Sequence, residues 1–286
     1  MTLGDWQACA AEDLAARGCF EPESDVEWLL CEATGLTRSS LRFHRGDPLT
    51  DGQLERLNGW VRRRGQGEPL QYVLGYTEFM GLRLRTDCRA LIPRFDTEIL
   101  VDEALKTLAG WHPLRALDLC TGSGAIGLTL ARRRPDASVT LSDVSRDALS
   151  LAEENAHDLK IGNVAFRQGD LFDPVEGELF DAILCNPPYL DARDMENLQK
   201  EVRHEPDLAL FGGTDGLDFY RRIAREASGH LEPGGWLFLE VGQGQARSVI
   251  SLLGPEWTQA DAIRDLSGTE RVVRARLSPE KYDIPE

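Results

Sequence analysis

Asn186-Pro187-Pro188-Tyr189 brings together residue types suited to a poorly nucleophilic nitrogen. An amide or aromatic amino nitrogen has its lone pair delocalised into a neighbouring π system, so alkylating it requires that the nitrogen be held and its hydrogens engaged. The Asn186 side-chain oxygen and the Pro187 carbonyl can each accept one hydrogen of a substrate –NH2, drawing the nitrogen toward a pyramidal shape and aiming its lone pair at a methyl donor. Tyr189 offers a face on which a planar group can stack. Consecutive prolines stiffen the turn and remove two backbone N–H groups, which leaves the carbonyls beside them without a local donor. The run from Ala182 to Cys185 has the composition of a buried parallel strand, and the carboxyl ends of such strands are where open α/β sheets bind ligands. The competing reading is a rigid turn that only terminates a core strand.

A second constellation lies upstream. In Leu117-Asp118-Leu119-Cys120-Thr121-Gly122-Ser123-Gly124-Ala125-Ile126-Gly127 the glycines follow a strand and open a helix, spelling G-x-G-x-x-G. That pattern alone suits a nicotinamide dehydrogenase equally well. Asp118, however, precedes the glycines at the strand end, where a carboxylate can meet the cationic end of an amino acid and would repel a pyrophosphate. Asp143 ends the next strand, 143 minus 118 or 25 residues on, where a carboxylate can accept both hydroxyls of a ribose. In Gln168-Gly169-Asp170-Leu171-Phe172 a polar group can read an adenine edge and Leu171 can cover its face. Asp143 as a helix cap and Asp170 as a turn residue are the structural alternatives.

The elements that must position these groups alternate strand, glycine turn and helix from Leu114 onward. Strands are expected at 114–119, 138–142, 164–168, 180–185 and 236–240, with helices at 124–134, 145–159, 217–227 and 245–253. This is the signature of a doubly wound parallel sheet. Two last strands, 257–263 and 271–277, have no helix between them and form an antiparallel edge. Before Gly75 the pattern is helical. Thr2 caps a helix carrying Leu3, Trp6 and Leu14; Ser24 caps one carrying Val26, Leu29 and Leu30 and stopping at Gly35; Thr50 and Gln53 form a capping box ahead of Leu54, Leu57, Trp60 and Val61. Residues 78–91 alternate around Gly81 like a hairpin, and a helix starts at Asp96 or Thr97. The expected domains are a helical bundle over 1–75 that recognises the substrate, a hairpin linker over 76–93, and a catalytic α/β domain over 94–286.

Composition narrows the setting. The 286 residues are 42% hydrophobic and 28% charged, and no apolar run approaches the ~20 residues of a membrane helix. The first residues carry acids and lack the basic start and apolar stretch of a signal peptide, so the expected compartment is the cytoplasm. Six scattered cysteines without a C-x-x-C pair argue against a zinc site and a disulfide framework, and no metal is expected. Cys185 beside Asn186 reads as core packing, because an apolar strand end raises a thiol pKa. A formal charge of −16 disfavours broad binding to a nucleic-acid backbone. Arg38, Arg42, Arg45, Arg56, Arg62, Arg63 and Arg64 nonetheless give the helical part a locally basic side, either a solvated face or a docking surface.

LDLCTGSGAIG, SDVS, GDLF and NPPY, in this order, resemble the amino-group methyltransferases that use S-adenosylmethionine. With EPLQYVLG (68–75), IPRFDTE (92–98), HEP (204–206), LEVGQGQ (239–245) and GTERVV (268–273), the chain from about Glu68 to Val273 is similar to one family, the glutamine methyltransferases of peptide-chain release factors (HemK/PrmC type). The resemblance implies a Rossmann-like class I methyltransferase sheet with a small all-helical N-terminal domain, and a cytoplasmic enzyme that methylates the glutamine of the Gly-Gly-Gln loop in class I release factors. It implies S-adenosylmethionine contacts at Cys120, Thr121, Gly122, Ser123, Gly124, Asp143 and Leu171, to which Asp118, Asp170 and Asn186 are added from the reading above. It implies substrate contacts at Asn186, Pro187, Pro188 and Tyr189, with Asn186 and Pro187 carrying catalysis. The chain departs from the family pattern at Phe95, where proline is usual, at Cys120, where glycine is common, and at Leu171, where some members have an aromatic. A nucleic-acid amino methyltransferase acting on adenine or guanine is the alternative, since N-P-P-Y solves the same problem there. A plain NAD oxidoreductase would leave residues 186–189 without a purpose.

Overall fold

The computed structural model describes residues 1–279. The chain divides into two compact units, one of residues 1–76 with 199–204 and one of 77–198 with the chain from 205 onward. No described helix is long and apolar enough to cross a membrane.

The first unit is built on helices α1 (Leu3–Ala16), α2 (Pro22–Thr34), α3 (Arg38–Leu41), α4 (Asp51–Gly65) and α5 (Leu70–Leu74). Leu3, Trp6 and Leu14 of α1 pack with Val26, Leu29 and Leu30 of α2 and with Leu57, Trp60 and Val61 of α4. Thr2 with Asp5 and Thr50 with Gln53 form reciprocal capping boxes, each satisfying N–H groups that a helix start leaves open. Thr50→Ala is expected to cost ~1 kcal/mol, read from urea unfolding of the full chain; an unchanged midpoint would mean that the cap contributes nothing. Ser24 is not the cap of α2. That helix begins two residues earlier, at Pro22, whose fixed φ and missing N–H suit a first helical position. The short α3 and α5 had no expectation.

The arginine cluster is largely neutralised within this unit. Arg38 pairs with Glu27 at 2.6 Å, Arg63 with Glu68 at 2.5 Å and Arg56 with Glu32 at 3.9 Å. Arg64 is buried, held by Asp25 at 2.6 Å and Glu201 at 3.0 Å. Arg42 lies over the exposed Phe43 ring.

The hairpin joins β1 (Tyr76–Phe79) to β2 (Leu82–Arg85) through Met80 and Gly81, both at positive φ, the backbone of a two-residue turn that matches strand twist. In the second unit follow α6 (Phe95–Thr107), β3 (Leu114–Leu119), α7 (Ala125–Arg133), β4 (Ala137–Asp143), α8 (Arg146–Leu159), β5 (Val164–Gln168), β6 (Phe180–Cys185), α9 (Ala192–Glu196), α10 (Asp218–Glu226), β7 (Leu231–Glu240), α11 (Ala246–Leu252), β8 (Trp257–Arg264) and β9 (Glu270–Leu277). Among the described residues the sheet runs β5-β4-β3-β6-β7-β9-β8, parallel through β7 with β9 and β8 antiparallel. The expected doubly wound sheet and its antiparallel edge are both present.

Strand alternation sorts the two cores. Ala116, Ala182, Leu184 and Phe238 face one side with Leu100 and Val101 of α6 and Ile126 of α7. Leu117, Leu119, Ile183, Cys185 and Leu237 face the other with Tyr220 and Ile223 of α10 and Val249 of α11. Most boundaries in this unit fall within one residue of expectation, and two differences have a clear local cause. β7 starts at Leu231 rather than Trp236, because Pro233-Gly234-Gly235 forms a bulge between the pairings Phe180–Leu231 and Ala182–Trp236. α6 starts at Phe95, so this exposed residue occupies the first helical position, where the proline usual in the family would serve equally.

The strand order reverses at β3 and β6, which pair with Leu119 opposite Cys185. The glycine loop after β3 and Asn186 after β6 therefore leave the sheet side by side, at the switch point where such sheets hold ligands.

Candidate active site

A cleft enclosing about 820 Å3, solvent at its mouth included, opens at this switch point. Cys120, Thr121, Gly122, Ser123, Asp143, Asn186 and Pro188 all line it, as expected from sequence. Ala90, Leu91, Val144, Leu208 and Phe219 supply apolar surface that sequence reasoning did not single out.

The loop's path is set by two carboxylates. Asp118 lies beneath it, 1% exposed, with Oδ2 accepting the Thr121 hydroxyl at 2.5 Å and the Gly127 N–H at 2.8 Å. It was expected to meet a cationic amino acid tail or its water shell; it is not among the lining residues but lies beneath the loop, and its Oδ1 is buried without a partner. Burial is the main cause that pushes its carboxyl up to about 7. Gly127 is required for this arrangement, since a Cβ there would stand 2.7 Å from Leu141 Cγ and 2.8 Å from Asp118 Oδ2. Asp143 holds the loop from its flank: Oδ2 accepts from Gly122 N and Oδ1 from Ser145 N, both at 2.9 Å. Burial raises its carboxyl above the ordinary range, against the pull of these N–H donors. Cys120 adopts φ +58°, a left-handed backbone that favours glycine and explains why glycine is common there.

Two expected cofactor contacts are not brought to the cleft. Asp170 is turned to solvent and paired with Arg222 at 2.8 Å, and Leu171 is buried in the core beneath α10. Gly124 does not line the cleft either; at φ +86° it caps α7.

On the other wall, Asn186 Nδ2 donates to Thr97 Oγ1 at 3.3 Å. With its nitrogen so engaged, the side-chain oxygen is the acceptor left to the cleft. Pro187 is buried and lies outside the lining, while Pro188 lines the cleft. Tyr189 is fixed from both ends: its carbonyl accepts from Gln245 Nε2 at 3.0 Å and its hydroxyl reaches Glu240 Oε1 at 3.4 Å. Leu190 bridges to the 210–212 strip, with N–H donating to Leu210 O and its own carbonyl accepting from Gly212 N, each at 2.9 Å. The rigid turn and the exposed acceptor thus coexist. Cys185 is fully buried, its thiol pushed well up by burial and then by the neighbouring Cys120 thiol, which fits core packing. Sequence reasoning missed Thr97 and Glu240. The signal was present, since Glu240 ends a buried parallel strand as Asp118 and Asp143 do.

The cleft fits S-adenosylmethionine. Each Asp143 oxygen uses one lone pair on a backbone N–H and retains another for a ribose hydroxyl. The orphaned Asp118 Oδ1 beneath the loop would, once ionised, add negative potential near a cationic end of the cofactor. The same carboxylates would repel a pyrophosphate.

Fold and site together define a class I methyltransferase that uses S-adenosylmethionine. Residues 95–205 match the methyltransferase small domain, and a methyltransferase from Pyrococcus furiosus, 19% identical, superposes with a TM-score of 0.54 over 70% of this chain and 90% of its own. Residues 5–75 match the PrmC N-terminal domain. The chain is 42% identical over 266 residues to a release factor glutamine methyltransferase of Geobacter sulfurreducens, covering 92% of this chain and 93% of that one. It is 41% identical over 276 residues to the one of Deinococcus radiodurans, covering 96% and 99%. The chain belongs to the release factor glutamine methyltransferase family, and it is a protein-glutamine N-methyltransferase dependent on S-adenosylmethionine.

Proposed function

We propose that this enzyme methylates the glutamine of the Gly-Gly-Gln motif in class I peptide-chain release factors, supporting translation termination in the cytoplasm where those factors work. The observation that carries the reading is the Asn186 side chain, its nitrogen spent on Thr97 and its oxygen left as an acceptor at the cleft. Bound S-adenosylmethionine supplies a methyl group on a sulfonium centre. Asn186 Oδ1 and the Pro187 carbonyl hold the two hydrogens of the substrate amide, and the Tyr189 ring fixes its plane. Asp143 and residues 120–123 hold the cofactor's ribose and amino acid portions. The amide proton leaves after displacement, so no strong base is required. Residues 1–75 serve substrate recognition, 76–93 link, and the chain from 94 onward performs transfer.

The test is transfer of a radiolabelled methyl group to a purified release factor and to one whose Gly-Gly-Gln glutamine is replaced. Label on the first alone supports the proposal. Label on both, or label in cell extract that nuclease removes, sinks it and favours the nucleic-acid alternative.

A chain lacking residues 1–75 should bind S-adenosylmethionine within about a factor of two of the full chain, while its KM for a whole release factor rises roughly tenfold. The two cores of the catalytic unit draw on no residue before Phe79 among the described residues, so this unit retains its own interior. An unaltered KM in a truncation with a cooperative melt would remove the helical unit from substrate recognition.

A further inference from the structure

Of the stretches that mark the family in sequence, HEP (204–206) has no part in the chemistry above, and of IPRFDTE (92–98) only Thr97 has one. The fold joins the two through Glu205. Its side chain is 1% exposed, with Oε2 accepting the Ile92 N–H at 3.0 Å and Oε1 pairing with the Arg94 guanidinium. Burying a carboxylate is costly unless its oxygens are satisfied. Here both are spent on one stretch, 92–94, whose bonding groups lie 113 and 111 residues away along the chain.

Both stretches wall the cleft, Ala90, Leu91 and Pro93 from the first and Pro206, Leu208 and Ala209 from the second, while Glu205 itself is not among the lining residues. Residues 206–209 form a short stiff arm. Pro206 is fixed in φ, and a 3-10 turn over Asp207–Ala209 closes through Ala209 N on Pro206 O at 2.9 Å and Leu210 N on Asp207 O at 3.0 Å. The far end of the arm is tied to Leu190, just after the substrate turn, by the main-chain bonds of Leu210 and Gly212. The near end has no such tie: among the described residues no main-chain hydrogen bond joins Glu205 or Pro206 to anything beyond the arm, and the chain returns to this unit only at Glu205. The Glu205 side chain is therefore the near anchor.

Between the two anchors Leu208 stands on the cleft wall, 55% exposed and outside both cores of the unit. An exposed leucine on a free surface needs no explanation, but one on the wall of a cleft gains apolar contact once a ligand fills it. We propose that Glu205 is a positioning residue that holds residues 206–209 as a strap on the cleft, seating Leu208 against bound S-adenosylmethionine. This rests on the cleft being the cofactor's site and is independent of which protein is methylated.

The experiment reads dissociation of radiolabelled S-adenosylhomocysteine from the full chain, chased with excess unlabelled compound. Leu208→Ser should raise the dissociation rate roughly tenfold, the loss of one apolar contact, with the melting temperature near wild type because Leu208 joins no core. Glu205→Ala should raise it at least as far, since it frees the whole strap. Glu205→Gln keeps an acceptor for the Ile92 N–H but turns a donor toward Arg94, so its rate should lie between those of wild type and alanine. The double variant separates positioning from general support of the fold. With the strap already loose, Leu208→Ser should add less than about twofold to Glu205→Ala, whereas independent roles would multiply to roughly a hundredfold. If Glu205→Ala lacks a cooperative melt, Glu205→Gln takes its place in the cycle, where Leu208→Ser should again add less than it does in wild type. Asp143→Ala is the control for the site. Weakened binding in Asp143→Ala beside unaltered rates in the Leu208 and Glu205 variants, or multiplying effects in the double variant, overturns the strap and leaves the site standing. Unaltered binding in all of them removes the cleft as the cofactor's site, and the strap with it.

Discussion

Asn186→Ala is expected to lower kcat by ~3 kcal/mol, roughly a hundred- to a thousandfold, while the Kd for S-adenosylmethionine changes little. The side-chain oxygen matters most as the substrate nitrogen begins to pyramidalise and its hydrogens become more acidic. Its hydrogen bond therefore strengthens between ground and transition states, and the loss belongs in kcat rather than KM. In the proposed site the cofactor would be held elsewhere, by the loop from Cys120 to Ser123 and by Asp143, neither of which bonds Asn186. The opposing view, that Asn186 only pins the turn, forecasts a different pattern: melting temperature and cofactor affinity fall together, with turnover per folded molecule nearly intact. Among the described residues the Asn186 side chain bonds Thr97 alone, whereas Tyr189 and Leu190 are tied down independently through Gln245, Glu240, Leu210 and Gly212. Alanine should thus leave the turn standing. Turnover, cofactor affinity and melting temperature measured on one preparation decide the matter, and a variant keeping more than about a tenth of wild-type kcat would count against the catalytic role.

The elements that sequence reading located well are those whose information is local. β3, β5 and β6 fall within the expected bounds because buried parallel strands read as short apolar runs with sharp polar or proline ends. Thr2, Ser145 and Thr50 cap as expected because a cap is decided by its own side chain and the N–H groups two or three residues on. The expected β7 lacks its first residues because Pro233-Gly234-Gly235 reads as a turn yet is carried inside the strand as a bulge. Two misplaced groups, Asp170 and Arg64, have partners far along the chain. Nothing near Asp170 announces Arg222, and nothing near Arg64 announces that Asp25 and Glu201 will bury it. Thr97 escaped for the same reason. It sits in the first turn of α6, and only the fold places it beside Asn186.

Asp143→Ala should raise the Kd for S-adenosylmethionine roughly a hundredfold or more. Two charge-assisted hydrogen bonds to a ribose are worth ~1.5–3 kcal/mol apiece before water substitutes for them. The structure adds a second loss. Asp143 also accepts the N–H groups of Gly122 and Ser145, so alanine leaves two donors unpaired at the cleft and frees the left-handed turn at Gly122. Asp143→Asn separates the two contributions: it keeps one acceptor oxygen, and it replaces the other with a donor that faces an N–H of the loop. Its Kd should therefore rise nearly as far as that of alanine, because the clash adds to the lost charge. A cofactor analogue lacking both ribose hydroxyls tests the ribose contribution directly, since it should bind wild type weakly and bind Asp143→Ala no worse than the natural cofactor does. If the analogue instead loses affinity equally in both proteins, the ribose is held elsewhere and Asp143 acts only by shaping the loop. A Kd for the natural cofactor within about a factor of two of wild type in Asp143→Ala would remove the residue from cofactor binding altogether.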